Sequence, residues 1–355
     1  MRAPSCRLLW PVWFAMVVVV LGSGCADSAE VAPEDPPSGW ASRPLNLTCA
    51  APGDLPAALL SQTGCVEPTA PKRAVQGAIP YQVNAALWSD GADKERYFAV
   101  PEGSTVGLAE DGDFIFPVGT VLLKAFKIHD VWVETRLFAR QPDGSWAGFS
   151  YAWNEAQTDA ELLPGAATRT VAGHRWNYPG RDDCLRCHTE AAGWALGPEL
   201  GQLNRDQAYP SGRTYNQLAT LSFIGILDGL AADPAQWPRY PQPQEESPVE
   251  ARARAYLHAN CSGCHRPGGP TPASIDFRFG IPLSQMKICD VDASRGTAGL
   301  ENGRILAPGA PERSILSARL HATDGWKMPP VGRNLADPQG DALIDAWITS
   351  LSGCP

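Results

Sequence analysis

Apolar and polar positions along the chain fall into three textures. Residues 8–21 form an almost unbroken apolar run, "LLWPVWFAMVVVVL", preceded by Arg2 and Arg7. The run is short for a membrane span and reads as the core of a secretory signal covering residues 1–24. From about residue 75 to 175 the texture is that of strands: "KERYFAV", "DFIFPVG" and "TVLLKAFKI" are short runs rich in aliphatic and aromatic residues. "VWVETRLFAR" and "SWAGFSYAW" flank "QPDG", a turn whose Pro, Asp and Gly each have a steric reason to be there, so the pair predicts a hairpin. Val131, Val133, Thr135, Leu137 and Ala139 fall on one face of its first strand; Trp132, Glu134, Arg136, Phe138 and Arg140 fall on the other. A small sandwich or barrel follows, with Trp132, Trp146 and Trp153 near its core.

After about residue 180 the period becomes helical. "NQLATLSFIGILDGL" sets Leu218, Leu221, Gly225 and Leu227 at roughly helical spacing, and the Pro-rich 234–248 reads as an interdomain linker. "SPVEARARAYLHANC" predicts a helix with Ser247 as its cap, Pro248 at its first position and Glu250 completing a capping box. "ADPQGDALIDAWITSLSG" predicts another, capped by Asp337, begun by Pro338 and stopped by Gly353. A short helix is expected between them at 311–320, with Tyr256 and Trp347 packing the two longer helices together.

Composition changes this picture little. The 355 residues are 44% hydrophobic and 19% charged, ordinary for a globular protein, while 34 Gly and 33 Pro imply extensive loops. A net charge of −9 disfavours nucleic acid as a partner. Cys25 follows Gly22, Ser23 and Gly24, as the lipid-attachment cysteine of bacterial lipoproteins does, although Leu21 sits one place upstream of the preferred position. Residues 25–45, rich in Pro, Ser and acids, read as a flexible tether from that anchor, so the chain is expected to face the periplasm from a bacterial membrane. Export exposes the cysteines to an oxidising compartment. Cys49, Cys65, Cys289 and Cys354 then suit two disulfides, with three pairings open.

The remaining four cysteines carry the chemistry. "DDCLRCHTE" at 182–190 and "NCSGCHRPG" at 260–268 both contain Cys-x-x-Cys-His. A Cys₄ zinc site has no use for the two histidines, and a dithiol redox pair needs a βαβ setting that neither motif has. Covalent haem uses every position. Cys184 and Cys187, and Cys261 and Cys264, would form thioethers to a porphyrin, placing His188 and His265 beneath the iron. The expected cofactors are two covalently attached haem c groups. For the opposite iron position at the second motif, Met328 in "GWKMPPVG" is favoured over Met286, because two prolines stiffen its loop. For the first, the candidates are His129, His174, His258 and His321: His129 and His258 read as structural or surface residues, and His174 as no better a ligand than an open position.

These residues carry a family likeness. Residues 247–355, with a helix leading into "CSGCH", a "MPP" loop and a closing helix, resemble a class I cytochrome c domain. "YQVNAALWSDGADKERY", "FPVGTVLLKAF", "ETRLF", "YAWNEAQTDAELL" and "YPGRDDCLRCHTEAAGWALGPELGQLNRD" extend the likeness over most of 75–355, to a family of exported bacterial di-haem c-type cytochromes. The resemblance implies an α+β multidomain chain: a β-rich, sandwich- or barrel-like domain at 46–179, then mainly α cytochrome c-like haem domains at 180–240 and 247–355. It implies electron transfer with a redox protein partner, such as a dehydrogenase or another cytochrome. Two alternatives are a haem peroxidase or oxidase with an open first haem, and the electron-accepting subunit of a periplasmic dehydrogenase. The long β-like preface departs from the di-haem cytochrome c peroxidases.

Overall fold

Six antiparallel strands form the centre of the structure, a computed structural model describing residues 38–53, 56–230 and 233–355. In spatial order they are Ala160–Leu162, Trp146–Trp153, Val131–Arg140, Val121–Ile128, Asp93–Ala99 and Ile79–Pro80. The 121–140 hairpin turns on two residues, His129 and Asp130, with φ of 46° and 64°. That left-handed pair matches the right-handed twist of the flanking strands. The "QPDG" hairpin forms as expected, pairing Arg140 with Trp146 through Glu134 with Ala152. Pro80 sits in the outermost strand, where a missing N–H costs no ladder bond.

Both faces of this sheet are covered. On one, Leu123, Leu137, Ala139, Phe149 and Tyr151 pack with the Cys49–Cys65 disulfide. On the other, Phe98, Leu122, Phe138 and Trp146 pack against Leu203, Leu218, Leu221 and Ile226. Trp146 and Trp153 are buried as expected; Trp132 is only half-buried, tilted against Trp153 with ring centres 5.2 Å apart.

Six helices occur among the described residues: α1 Arg181–Leu185, α2 Leu200–Leu203, α3 Gln217–Phe223, α4 Val249–Cys261, α5 Ile315–His321 and α6 Pro338–Ser350. Only α4 and α6, of 13 residues each, exceed two turns. The expected fold class is therefore corrected. Strand (24%) exceeds helix (20%), and a mainly α cytochrome c-like haem domain is not seen. Nor is the β part a sandwich or barrel: its main sheet is open, with small two-stranded sheets beside it, and its second face is closed by α2, α3 and their loops. Physically, the Gly- and Pro-rich stretches between the helices favour turns over helix propagation, and the described residues gather as one compact unit around the sheet.

The carboxyl-terminal helices pack as predicted. Tyr256 of α4 and Trp347 of α6 share a core with Leu257, Leu306, Leu320 and Ile344. A Cβ at Gly340 would lie 2.2 Å from the Tyr256 ring, so only glycine lets the helices approach this closely. The Asp337 cap is present, accepting from the Gln339 N–H at 3.2 Å. At α4 the expectation shifts by a residue: Pro248 is the cap and makes no side-chain bond, while the Ser247 carbonyl accepts from Arg252 instead. Cys289–Cys354 ties the carboxyl end to this core. No helix of the described residues is long and apolar enough to cross a membrane. The expected signal, Cys25 and most of the tether lie outside the described residues.

Candidate haem-attachment site

α1 is a short turn of helix begun by the Gly180 N–H donating to the Asp183 carboxylate at 3.1 Å. The turn continues past its end, with the His188 N–H bonded to the Cys184 carbonyl at 3.0 Å. That bond places Cys184 and His188 on one side. The side faces the sheet: the His188 ring lies over Phe138, centres 4.2 Å apart, and Cys184 presses on Gly148. A Cβ at position 148 would stand 2.5 Å from the Cys184 sulfur, so the glycine is the room in which that side chain sits.

His188 is oriented by the backbone. Gly193 and Trp194, both left-handed at φ 63° and 65°, fold the chain back so that the Trp194 carbonyl lies 2.6 Å from His188 Nδ1. A carbonyl only accepts, so Nδ1 carries the proton and Nε2 keeps its lone pair. Burial first, then the Lys124 and Arg136 cations, push the imidazole down to about 3. It is thus neutral, the state in which a histidine binds metal.

The second motif is the end of α4. The His265 N–H bonds the Cys261 carbonyl at 2.9 Å, repeating the first motif's local geometry. Its surroundings differ. His265 Nδ1 is 3.5 Å from Thr271 Oγ1, too long for a firm hydrogen bond, and its ring meets Phe277 edge-on at 5.4 Å. Burial and then Arg319 lower this histidine as well.

The two motifs meet. Thr189 Oγ1 reaches the Gly263 carbonyl at 3.4 Å and Arg266 reaches the Ala191 carbonyl at 3.2 Å. The Cys264 thiol donates to the Arg186 carbonyl at 3.4 Å, and the influence of Cys187 and Cys264 on each other raises Cys187 and lowers Cys264 to about 7. Burial pushes Cys184 up and Cys261 up to about 12. These four are the free thiols among the described residues, since the others pair as Cys49–Cys65 and Cys289–Cys354.

One cavity of about 1000 Å³ is lined by Cys184, Cys187, His188, Cys261, Cys264, His265 and Met328. Met328 is held there by its N–H bond to the Arg319 carbonyl at 2.9 Å. Arg333, buried, ties the same loop down by donating to the carbonyls of Arg319, Leu320 and Ala322. Met286 is wholly buried in the carboxyl-terminal core and does not line the cavity. His129 and His174 pack against each other elsewhere, centres 5.2 Å apart. His258 lines the cavity and is buried, a correction to the surface position expected of it. Both of its nitrogens are taken, Nε2 by Glu199 at 2.8 Å and Nδ1 by the Phe279 N–H at 3.1 Å. His321 is exposed, near Asp345.

The residues fit a covalently held haem on three counts: two free thiols per motif, a neutral histidine with a free Nε2 at the first, and a large cavity shared with apolar groups such as Leu122, Phe126 and Phe138. No three His, Cys, Asp or Glu side chains are grouped to hold a metal ion among the described residues. An iron inside a macrocycle needs only one or two axial side chains, so the fit does not depend on such a group. Sequence reasoning missed Phe138, Trp194 and Gly148, which shape the first motif, and Arg96 and Lys124, which line the cavity. Lys124 alone left a signal, a cation inside the apolar run "VLLKAF".

Comparison with known proteins gives no matching family model, no matching curated protein and no matching solved structure.

Proposed function

We propose that the chain is an exported di-haem c-type cytochrome that passes single electrons between redox partners. The observation that supports it most is the convergence of two Cys-x-x-Cys-His motifs, from different elements, on one cavity, with Thr189 and Arg266 tying one motif to the other. When bound, the haems supply reversible one-electron chemistry. Cys184 with Cys187, and Cys261 with Cys264, would anchor them, and His188 and His265 would be the proximal ligands. The Trp194 carbonyl fixes the His188 tautomer, and Phe138 fixes the ring plane. Met328, on its tied loop, is the candidate opposite His265. An acidic chain of net charge −9 suits a partner with a basic patch, such as another cytochrome or a dehydrogenase.

Two disulfides support export. The signal at 1–24 and lipid attachment at Cys25 are part of the same proposal. Mass analysis of the mature protein tests it: peptides containing Cys184–Cys187 and Cys261–Cys264 should each carry one haem. Bare thiols on both would refute the reading.

A second reading, a peroxidase or oxidase acting at the first haem, is favoured by one observation. Of the side chains weighed for the opposite position there, His129, His174, His321 and Met286 do not line the cavity, and His258 has no free nitrogen. Carbon monoxide binding by the reduced protein at one haem would support it; no binding at either would exclude it.

A further inference from the structure

Strand register puts a row of cations across the sheet floor beneath the first motif. Arg96 pairs with Lys124, Lys124 with Arg136, and Arg136 with Ser150. Directly opposite residues share a face, so these side chains stand side by side. The adjacent row on that face is Phe98, Leu122, Phe138 and Gly148, whose last two members touch His188 and Cys184. Arg96, Lys124 and Arg136 all line the cavity.

The charges on this floor do not balance. Arg136 is satisfied by Glu134, bonded through two nitrogens at 2.8 Å each, and the Trp176 indole holds the same carboxylate at 2.9 Å. Neither the Arg96 guanidinium nor the Lys124 ammonium donates a hydrogen bond to, or forms an ion pair with, any described residue. Lys94, one step along the strand, adds a further cation and finds only the Ala92 carbonyl, at 3.2 Å. Burial, then Arg96, Arg136 and Lys94, push Lys124 well below the usual lysine range. Two half-buried cationic side chains that line a cavity without an acceptor repel each other, so the site favours an incoming anion. A carboxylate brought into the cavity meets that need, since both side chains are donors and a guanidinium can grip a carboxylate at two points.

We propose that Arg96 and Lys124 form a carboxylate-binding site on the sheet floor of the first motif's cavity. The carboxylate comes either from the side arms of the prosthetic group itself, which rests on the haem reading above, or from a small dissolved acid, which does not.

The test uses the mature protein and its Arg96→Leu and Lys124→Met variants, with circular dichroism to show that each folds. Succinate is the dissolved probe, followed by calorimetry, and the midpoint potentials of the two haems are followed by spectroelectrochemistry. If the carboxylate belongs to the haem, Arg96→Leu lowers one midpoint and leaves the other in place, because a cation beside the site favours the added electron. Succinate then binds neither protein. If the acid is dissolved, wild type binds succinate and each variant loses at least about tenfold in affinity, the loss expected for a charged hydrogen bond. Lys124→Arg should recover most of either effect. Unchanged midpoints together with no succinate binding by wild type, or with equal binding by the variants, overturn the site. Should the protein carry no haem, the function proposed above fails, and succinate binding alone decides this one.

Discussion

The two Cys-x-x-Cys-His motifs share a local conformation and differ in nearly everything around it. In each, the histidine N–H returns to the carbonyl of the first cysteine, at 3.0 Å for His188 and 2.9 Å for His265. The first then rests on a β-sheet, with an aromatic ring under the imidazole, a carbonyl on Nδ1 and a cationic floor. The second hangs from the end of a 13-residue helix, with a looser contact to Thr271, an edge-on Phe277 and Met328 across a loop. The contrast teaches that the pentapeptide dictates only its own turn. Tautomer, charge and opposite ligand come from whatever the fold lays against it.

Substitutions in each region's apolar support should show whether this contrast is real. Phe138→Ala and Trp347→Ala each remove a buried aromatic and should cost about 3–5 kcal/mol in chemical denaturation. Their side effects should differ. With the proposed haems attached, Phe138→Ala frees the His188 ring and should alter the spectrum of one, while Trp347→Ala acts on the helices behind His265 and should alter the other. Equal disturbance of both haems by either variant would mean that the regions respond as one. Next in size are the disulfides. Cys289→Ser with Cys354→Ser opens a cross-link spanning 65 residues in the second region, worth about 4 kcal/mol by chain entropy. Cys49→Ser with Cys65→Ser opens one spanning 16 residues behind the sheet, worth about 3 kcal/mol. Thermal unfolding of the two double variants ranks them.

The same contrast explains how much of the molecule is legible in the amino-acid sequence. The second region is built from local signals. Asp337 and Pro338 begin α6 where expected, Leu343 and Trp347 turn into the core, and only the α4 cap falls a residue from its expected place. Prolines leave a mark in sequence, which is why Met328 stands out over Met286, and the fold puts Met328 on the cavity and Met286 in the core. The hairpin at 131–153 is legible for the same reason, since a turn and an alternation are short-range. What escapes the sequence depends on pairing between distant residues. Strand order places Arg96 beside Lys124, and no short window of sequence contains that pair. The texture after residue 180 suggests a mainly α domain because periodicity reports which residues are apolar, not what they pack on. Leu218 and Leu221 do lie on one helical face, but the face covers a sheet.

Glycines give a sharper, smaller test. At Gly148 an added Cβ would come within 2.5 Å of the Cys184 sulfur and 2.8 Å of its Cβ. Gly148→Ala should cost about 1–3 kcal/mol and reduce the proposed haem attachment at Cys184–Cys187 while sparing that at Cys261–Cys264. At Gly263, inside the second motif, the nearest atom is the end of the Leu196 side chain at 3.3 Å, which can move. Gly263→Ala should therefore stay below about 1 kcal/mol. Mass analysis of both variants reads the attachment directly, and the opposite pattern would reverse the argument about which motif is confined.

The smallest effects expected are electrostatic, and they separate the regions by sign. Asp113 near the first motif and Asp341 in α6 are both pushed up to about 6, chiefly by burial. A carboxyl raised in the fold binds its proton more tightly there than in the unfolded chain. Between the ordinary carboxylate range and about pH 6 the folded state therefore holds more protons, and stability falls as pH rises through that window. Asp341→Asn removes this loss. One of the Asp341 carboxylate oxygens has no hydrogen-bond partner, and burial outweighs the attractions of His321 and Arg333 that the amide would give up. It should be on the order of 1 kcal/mol more stable than wild type at pH 7 and no different at pH 4. Asp113 lies 3.6 Å from the buried Arg266, which bridges the two motifs, so Asp113→Asn also strips a cation of its counter-charge. That loss offsets the gain, and stability at pH 7 should not rise. Denaturant titrations at the two pH values decide it: if Asp113→Asn stabilises as much as Asp341→Asn, the Arg266 contact contributes nothing to holding the motifs together.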